Sequence, residues 1–171
     1  GIRNGELHLG SFSEIKVSDK IIENPVKEKP MVKKKISDFN IGDKVSARAF
    51  IVQIFAPKFF EVCPDCRKKA VEGKCQEHGV VTPQKRSLLS LVIDDGSDSI
   101  RCTIFSEVLE TLFSMEELEK PELFSVKKDE FLGKEMMVSG NVKKNQMFDS
   151  NDFVIEGLSD INLDELIEEL E

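Results

Sequence analysis

The chain has 171 residues, 40% of them hydrophobic and 33% charged, with a formal net charge of −8. That length suits about one compact domain with added elements, and no apolar run approaches the roughly 20 residues of a bilayer-crossing helix, so no membrane partner is expected. The acidity is concentrated after Lys144, where nine acidic residues meet no Lys or Arg; the remainder carries a net of +1, and Pro57 to Arg86 a local +3. An anionic partner is therefore not excluded by the overall charge.

In chain order, "GELHLGSFSEIKV" (Gly5 to Val17) alternates in places and reads as a strand with nothing upstream to pair with, as if it ended a preceding domain over residues 1–20. The chain opens Gly-Ile-Arg rather than with Met, which fits a fragment. Residues 21–35 are lysine-rich with two prolines, the composition of an extended, solvated linker. From Ile36 the pattern becomes strand after strand. "KVSARAFIVQIF" (Lys44 to Phe55) is β-branched and aromatic, and "SLLSLVIDDGSDS" runs into an Asp-Gly turn that returns as "IRCTIFSE" (Ile100 to Glu107), so these two form a hairpin.

Between the first and second strands lies "FEVCPDCRKKAVEGKCQEHGVV", with Cys63, Cys66, Cys75 and His78 in a C-x2-C-x8-C-x2-H pattern. Two residues between ligands is the spacing of a knuckle that turns both side chains toward one tetrahedral Zn2+. Four protein ligands leave no position for a catalytic water, so the ion expected is structural. The stretch from Pro57 to Pro83 holds little apolar material and would depend on the metal to fold. Irregular cysteine spacing argues against a secreted disulfide scaffold and for a reducing, cytosolic setting. Cys102, in mid-strand, reads as a small buried hydrophobe, and His8 has no visible partner.

After the hairpin, Leu109, Leu112 and Phe113 fall at helical spacing, in a helix expected to stop before Pro121. "EMMVSGNVKKNQMF" and "DFVIEGLSDI" form a second strand pair around a polar turn at Asp149 to Asp152. The final segment, residues 162–171, places Leu163, Leu166, Ile167 and Leu170 on one face, with Asn162 and Glu165 spaced for a capping box. Five strands with a helix between the third and fourth is the order of an OB-fold, a small partly open barrel. The expected architecture is thus mainly β: an OB-fold domain over 36–161, a zinc-ribbon-like insertion at 57–83, and a short C-terminal amphipathic helix.

Alternation along "IRCTIF" sends Ile100, Cys102 and Ile104 to the core and Arg101, Thr103 and Phe105 outward. An outward ring beside a guanidinium offers a single strand both a stacking platform and a phosphate contact. Lys143, Lys144 and Phe148 approach the turn between the fourth and fifth strands, a loop that often closes on ligands in this fold. Lys58, Lys85 and Arg86 supply the basic character beside the cysteine loop. No Ser-His-Asp set or paired carboxylates stand out, and no catalytic activity is expected.

The combination of "VSARAFIVQIF", a four-ligand loop inserted directly after it, and "LSLVIDDGSDSIRCTIFSE" resembles the zinc-containing OB-domain of replication protein A, above all its archaeal form, over Ile36 to about Ile161. The resemblance implies sequence-nonspecific binding of single-stranded DNA in replication, repair and recombination. It implies stacking on Phe105 and Phe148, zinc on Cys63, Cys66, Cys75 and His78, and a nucleoid-associated cytoplasmic location in an archaeon or a nuclear one in a eukaryote. His78 stands where many relatives carry cysteine. The C-terminal helix resembles one that assembles subunits in some members, so other replication protein A subunits or domains are expected partners. Two alternatives follow from the same residues: an assembly module with little DNA affinity of its own, and an accessory domain of a nucleic-acid enzyme.

Overall fold

The structure, a computed structural model, describes residues 2–3, 6–7, 31–145, 150–162 and 167. Near the start, β1 (Ile2–Arg3) pairs antiparallel with β2 (Glu6–Leu7). The rest of the strand read over Gly5 to Val17 lies outside the described residues, as do linker residues 21–30. The end of the linker is not loose. Its strand β3 (Val32–Lys33) lies parallel to β4 (Lys44–Ile54), Val32 beside Val45 and Lys33 beside Ser46.

Beyond β4 the chain forms β5 (Lys58–Val62), the short pair β6 (Lys74–Cys75) and β7 (Gly79–Val80), then the long strands β8 (Gln84–Asp94) and β9 (Ser99–Phe105). Helices α1 (Ser106–Leu109), α2 (Met115–Glu119) and α3 (Pro121–Phe131) precede β10 (Glu135–Lys144) and β11 (Asn151–Ser159). The main sheet runs β3-β4-β10-β11-β9-β8-β5, and a further β4–β8 pairing curls it into a partly closed barrel. All its pairings are antiparallel except β3–β4 and β9–β11.

Alternation, interrupted at Val52 and Gln53 of β4 and at the buried Ser90 of β8, explains why these segments are strands around a single core. Val45, Ala47, Ala49 and Ile51 of β4 face inward with Leu89, Leu91 and Ile93 of β8, Ile100, Cys102 and Ile104 of β9, and Phe153 and Ile155 of β11. Burying the Val, Leu, Ile and Phe side chains among them yields about 1.5–3 kcal/mol each. Phe153 is fully buried, and its ring centroid lies 5.3 Å from that of Phe39. That contact pins the turn after the linker to the barrel, as does the Ile36 N–H donating to Asp95 Oδ2 at 2.9 Å. Asp95 belongs to the expected Asp-Gly turn, where Gly96 takes φ 82°. At Gly140 the strands crowd: a Cβ there would sit 2.0 Å from the Val154 carbonyl oxygen, beside the register shift between β10 and β11.

The helical region departs from expectation. Where the spacing predicts one helix ending before Pro121, the chain breaks after Leu109, restarts at Ser114, and begins a third helix at Pro121 itself. Ser114 and Glu117 form a reciprocal capping box, and proline at a first helical position loses no hydrogen bond and arrives with a suitable φ. Leu109, Phe113, Leu118 and Phe124 carry the three helices onto the core. The expected C-terminal helix lies outside the described residues apart from Asn162 and Ile167. Among the described residues, no helix is long and apolar enough to cross a membrane.

Candidate metal centre and nucleic-acid interface

The cysteine-rich segment is shorter than the sequence suggested, because its flanks are strand. Lys58–Val62 extends the sheet by pairing with Gln84–Leu88 of β8, which leaves 63–83 as the insertion proper. Inside it two knuckles face each other. The first is closed by the Arg67 N–H donating to the Cys63 carbonyl at 2.9 Å and the Cys63 N–H to that of Lys68 at 2.8 Å. The second is carried on the β6–β7 hairpin, which reverses at Gly79 with φ 69°. Folding back against the edge strand, the Ala70 N–H donates to the Glu61 carbonyl at 2.9 Å.

The ligand atoms of Cys63, Cys66, Cys75 and His78 all lie within 4.8 Å of one another. Cys63 Sγ is 3.6 Å from His78 Nδ1, Cys75 Sγ is 3.7 Å from the same nitrogen, and Cys66 Sγ is 3.5 Å from Cys75 Sγ. Zn–S bonds of about 2.3 Å and Zn–N bonds of about 2.0–2.1 Å, set tetrahedrally, require ligand separations of about 3.6–3.8 Å. These three separations match that shell, and all four cysteines of the chain are free thiols. The Glu77 and His78 backbone N–H groups draw the Cys75 thiol from 9.0 down to about 6, toward the thiolate a metal needs. Cys102 is the opposite case: it is buried in the barrel, and desolvation pushes its thiol up.

On the barrel's outer surface, β9 presents its residues as the alternation requires. Arg101 and Phe105 are exposed, while Cys102 and Ile104 are fully buried. Directly opposed residues in a sheet share a face, so register extends this surface. Phe105 lies beside Leu88, and Leu88 beside Lys58; Arg86 lies beside Phe60. Arg101 packs over a ring that sequence reasoning missed, its guanidinium carbon 4.7 Å from the Phe55 centroid. Phe60 was missed as well. Its signal is the spacing of Phe60 and Val62 two apart in "KFFEV", obscured when the metal loop is set to begin at Pro57.

Beyond Phe105 the face deepens into an open pocket of about 310 Å3, walled by Phe60, Val62, Arg67, Arg86, Phe105, Ser106 and Glu107. At the far end, Arg101 lines a second hollow of about 390 Å3 with Ser99, Ser150 and Asn151. Arg101, Phe105, Arg86 and Lys58 are thus brought onto one side of the sheet. Lys85 is not among them: opposed to Glu61 on the other side, its Nζ sits 4.6 Å from the Phe59 centroid and pairs with Glu119. Lys143 and Lys144 are exposed at the end of β10, opposite Asp152 and Asn151. Asp152 in turn stands beside Arg101. Phe148 lies outside the described residues.

A mainly β, partly closed sheet with a helical connection between β9 and β10 is an OB-fold arrangement, and solved structures agree. A replication protein A heterotrimer bound to single-stranded DNA aligns with TM-score 0.63 and 20% identity over 81% of this chain, which spans 38% of the length of that chain. Yeast replication protein A bound to single-stranded DNA aligns with TM-score 0.56 and 18% identity, over 86% of this chain and 98% of the other. The second OB-fold domain of replication protein A from Methanococcus maripaludis aligns with TM-score 0.47 and 21% identity, over 77% of this chain and 96% of its own, and adds nothing to the assignment. The first two show the fold. No family model matches the sequence, and no curated protein matches it.

Proposed function

We propose that this chain is a replication protein A-like module that binds single-stranded DNA, with little dependence on sequence and without catalysis. One observation carries the reading: Phe105 and Arg101 stand on a single outward face of β9, continuous with Lys58, Phe60 and Arg86 on the neighbouring strands. Bases stack on the rings, which is sequence-tolerant because every base has a π-face, and the cations take the phosphates. From Arg101 to Phe105 is about 13 Å at the ~3.3 Å rise of a strand, enough for a few nucleotides. Lys143 and Lys144 flank the far end of this track, and Phe148 is proposed as a second stacking ring. The proteins in the two aligned structures above TM-score 0.5 are both bound to single-stranded DNA, which supports the reading.

Cys63, Cys66, Cys75 and His78 would hold a single Zn2+, whose contribution is to fold the insertion beside the track. The test is anisotropy of a labelled oligo-thymidine at low and moderate salt, with a duplex of equal length as competitor. Salt-weakened binding that duplex competes for poorly is the expected result; absence of binding at low salt would overturn the reading. The alternative, a subunit-assembly role centred on the expected C-terminal helix, draws on the heterotrimeric state of one aligned structure. Loss of oligomer on deleting Asp160 to Glu171, with DNA affinity intact, would favour it as that segment's role.

A further inference from the structure

The pocket at the end of β9 has a chemistry that general stacking does not require. Its floor is apolar: Val62 is buried, Phe60 half-buried, and Phe105 closes one side. At about 310 Å3 it sits at the lower limit of the ~300–1,000 Å3 usual for ligand pockets, a scale suited to one base. Ser106 lines it but is already engaged, its Oγ accepting the Ser87 N–H and donating to the Ser87 carbonyl, both at 2.9 Å. The polar side chains left to meet a ligand are Arg67, Arg86 and Glu107. The guanidiniums only donate; the carboxylate only accepts.

Arg67 and Glu107 reach across the mouth from opposite banks. Arg67 comes from the first knuckle, its backbone in the left-handed region at φ 58°, and Glu107 from the start of α1. Their Nη1 and Oε1 lie 3.7 Å apart, with both side chains about three-quarters exposed. Such an exposed pair contributes little to stability, and it sets an acceptor next to a donor at the edge of an aromatic slot. A carboxylate is out of place on a surface meant only for phosphates, since it repels them.

Resting on the single-stranded DNA reading above, we propose that this pocket seats one base bearing an exocyclic amine, cytosine in particular, and that Glu107 selects it over thymine. At ring position 4 cytosine carries an amino donor and thymine a carbonyl acceptor. The Glu107 carboxylate accepts from the first and repels the second. Arg67, beside it, donates to the neighbouring ring nitrogen and carbonyl of cytosine, while Phe60 and Phe105 take the base faces. The preference applies to one position within otherwise sequence-tolerant binding.

The test measures affinities of oligo-deoxycytidine and oligo-thymidine, about ten nucleotides each, at pH 8 with zinc-loaded protein, for the natural chain and for Glu107→Gln. Removing a negative charge strengthens binding to both, so the ratio is the readout. The natural chain is expected to favour oligo-deoxycytidine by about three- to tenfold, the value of one hydrogen bond, and Glu107→Gln to bring the ratio close to one. Equal affinities in the natural chain, or a ratio that Glu107→Gln leaves unchanged, overturn the selection while leaving single-strand binding standing. Failure of both oligonucleotides to bind overturns the two together.

Discussion

The guanidinium of Arg101 lies over the ring of Phe55, 4.7 Å from its centroid, and that stacking holds a cation on the same outward face as Phe105. Phe105→Ala is expected to weaken single-strand binding by about 1–3 kcal/mol, the usual worth of one stacked base. Arg101→Ala should reduce the slope of log affinity against log salt by about 0.7, one phosphate contact on a single strand. Titrations across salt concentrations check both; an unchanged double variant would remove β9 as the platform.

Asp152 occupies the position between Lys143 and Arg101, one strand from each. A carboxylate there opposes the phosphates that the two cations attract. Asp152→Asn keeps an acceptor for Asn145, whose Nδ2 donates to Asp152 Oδ2 at 2.7 Å. It is expected to tighten single-strand binding by about two- to fivefold, the order of one solvent-screened charge interaction; the side chain is half-buried, with Oδ1 buried and unpartnered. A weaker complex, seen in the same titration, would place the strand elsewhere.

Chelation is expected to unfold the insertion before the barrel melts. The insertion's buried residues are mainly the ligands themselves, Cys63 and Cys75, with Ala70, whereas the barrel has a core of its own. Hydrogen exchange after chelator treatment should show protection lost over Cys63 to Val81 and kept over β9 and β11. Parallel loss in both regions would mean that metal and barrel form one cooperative unit. His78→Ala should release metal more readily than the natural chain in a zinc-indicator assay.

Gly140→Ala tests the barrel seam. The added methyl would lie 2.0 Å from the Val154 carbonyl oxygen, an atom fixed in the β11 backbone, so the strands must part. A loss of more than about 2 kcal/mol is expected, at the upper end of overpacking effects, read as a lower urea midpoint at unchanged slope.

Ser114 caps α2, its Oγ accepting the Glu117 N–H at 3.2 Å. Ser114→Ala is expected to cost about 1 kcal/mol. The Glu117 carboxylate accepts the Ser114 backbone N–H at 2.7 Å and the Ser114 hydroxyl, which hold its pKa below 4.5. A depressed carboxyl stabilises fully above its unfolded value, and that stability is lost as pH falls below 4.5 through the folded value. Removing the hydroxyl should make unfolding less dependent on acid in that window, as thermal melts from pH 5 to pH 3 would show.

Much of this molecule is legible in short stretches of sequence. The ligand spacing of Cys63, Cys66, Cys75 and His78 is local, and so is the alternation that turns Phe105 and Arg101 away from Cys102 and Ile104. The Asp-Gly turn at 95–96 is equally local. Other features misled. Pro121 read as a stop because proline cannot sit inside a helix, yet the same missing N–H suits it to start one. Lys58–Val62 read as loop because its partner, Gln84–Leu88, lies beyond the whole insertion, and only that pairing makes it a strand.

Residue types and spacing by themselves determined the cluster of Cys63, Cys66, Cys75 and His78, the faces of β9 and the inward positions of the long strands, since each follows from a geometry repeated every two or three residues. Tertiary structure decided which side of the sheet each cation reaches. Lys85 and Arg86 are adjacent in sequence, yet the pleat sends one toward Glu119 and the other to the pocket with Phe60. It also brought Arg67 to Glu107 across forty positions of chain. No local pattern encodes that meeting, because it depends on β5 docking along β8 and carrying the knuckle with it.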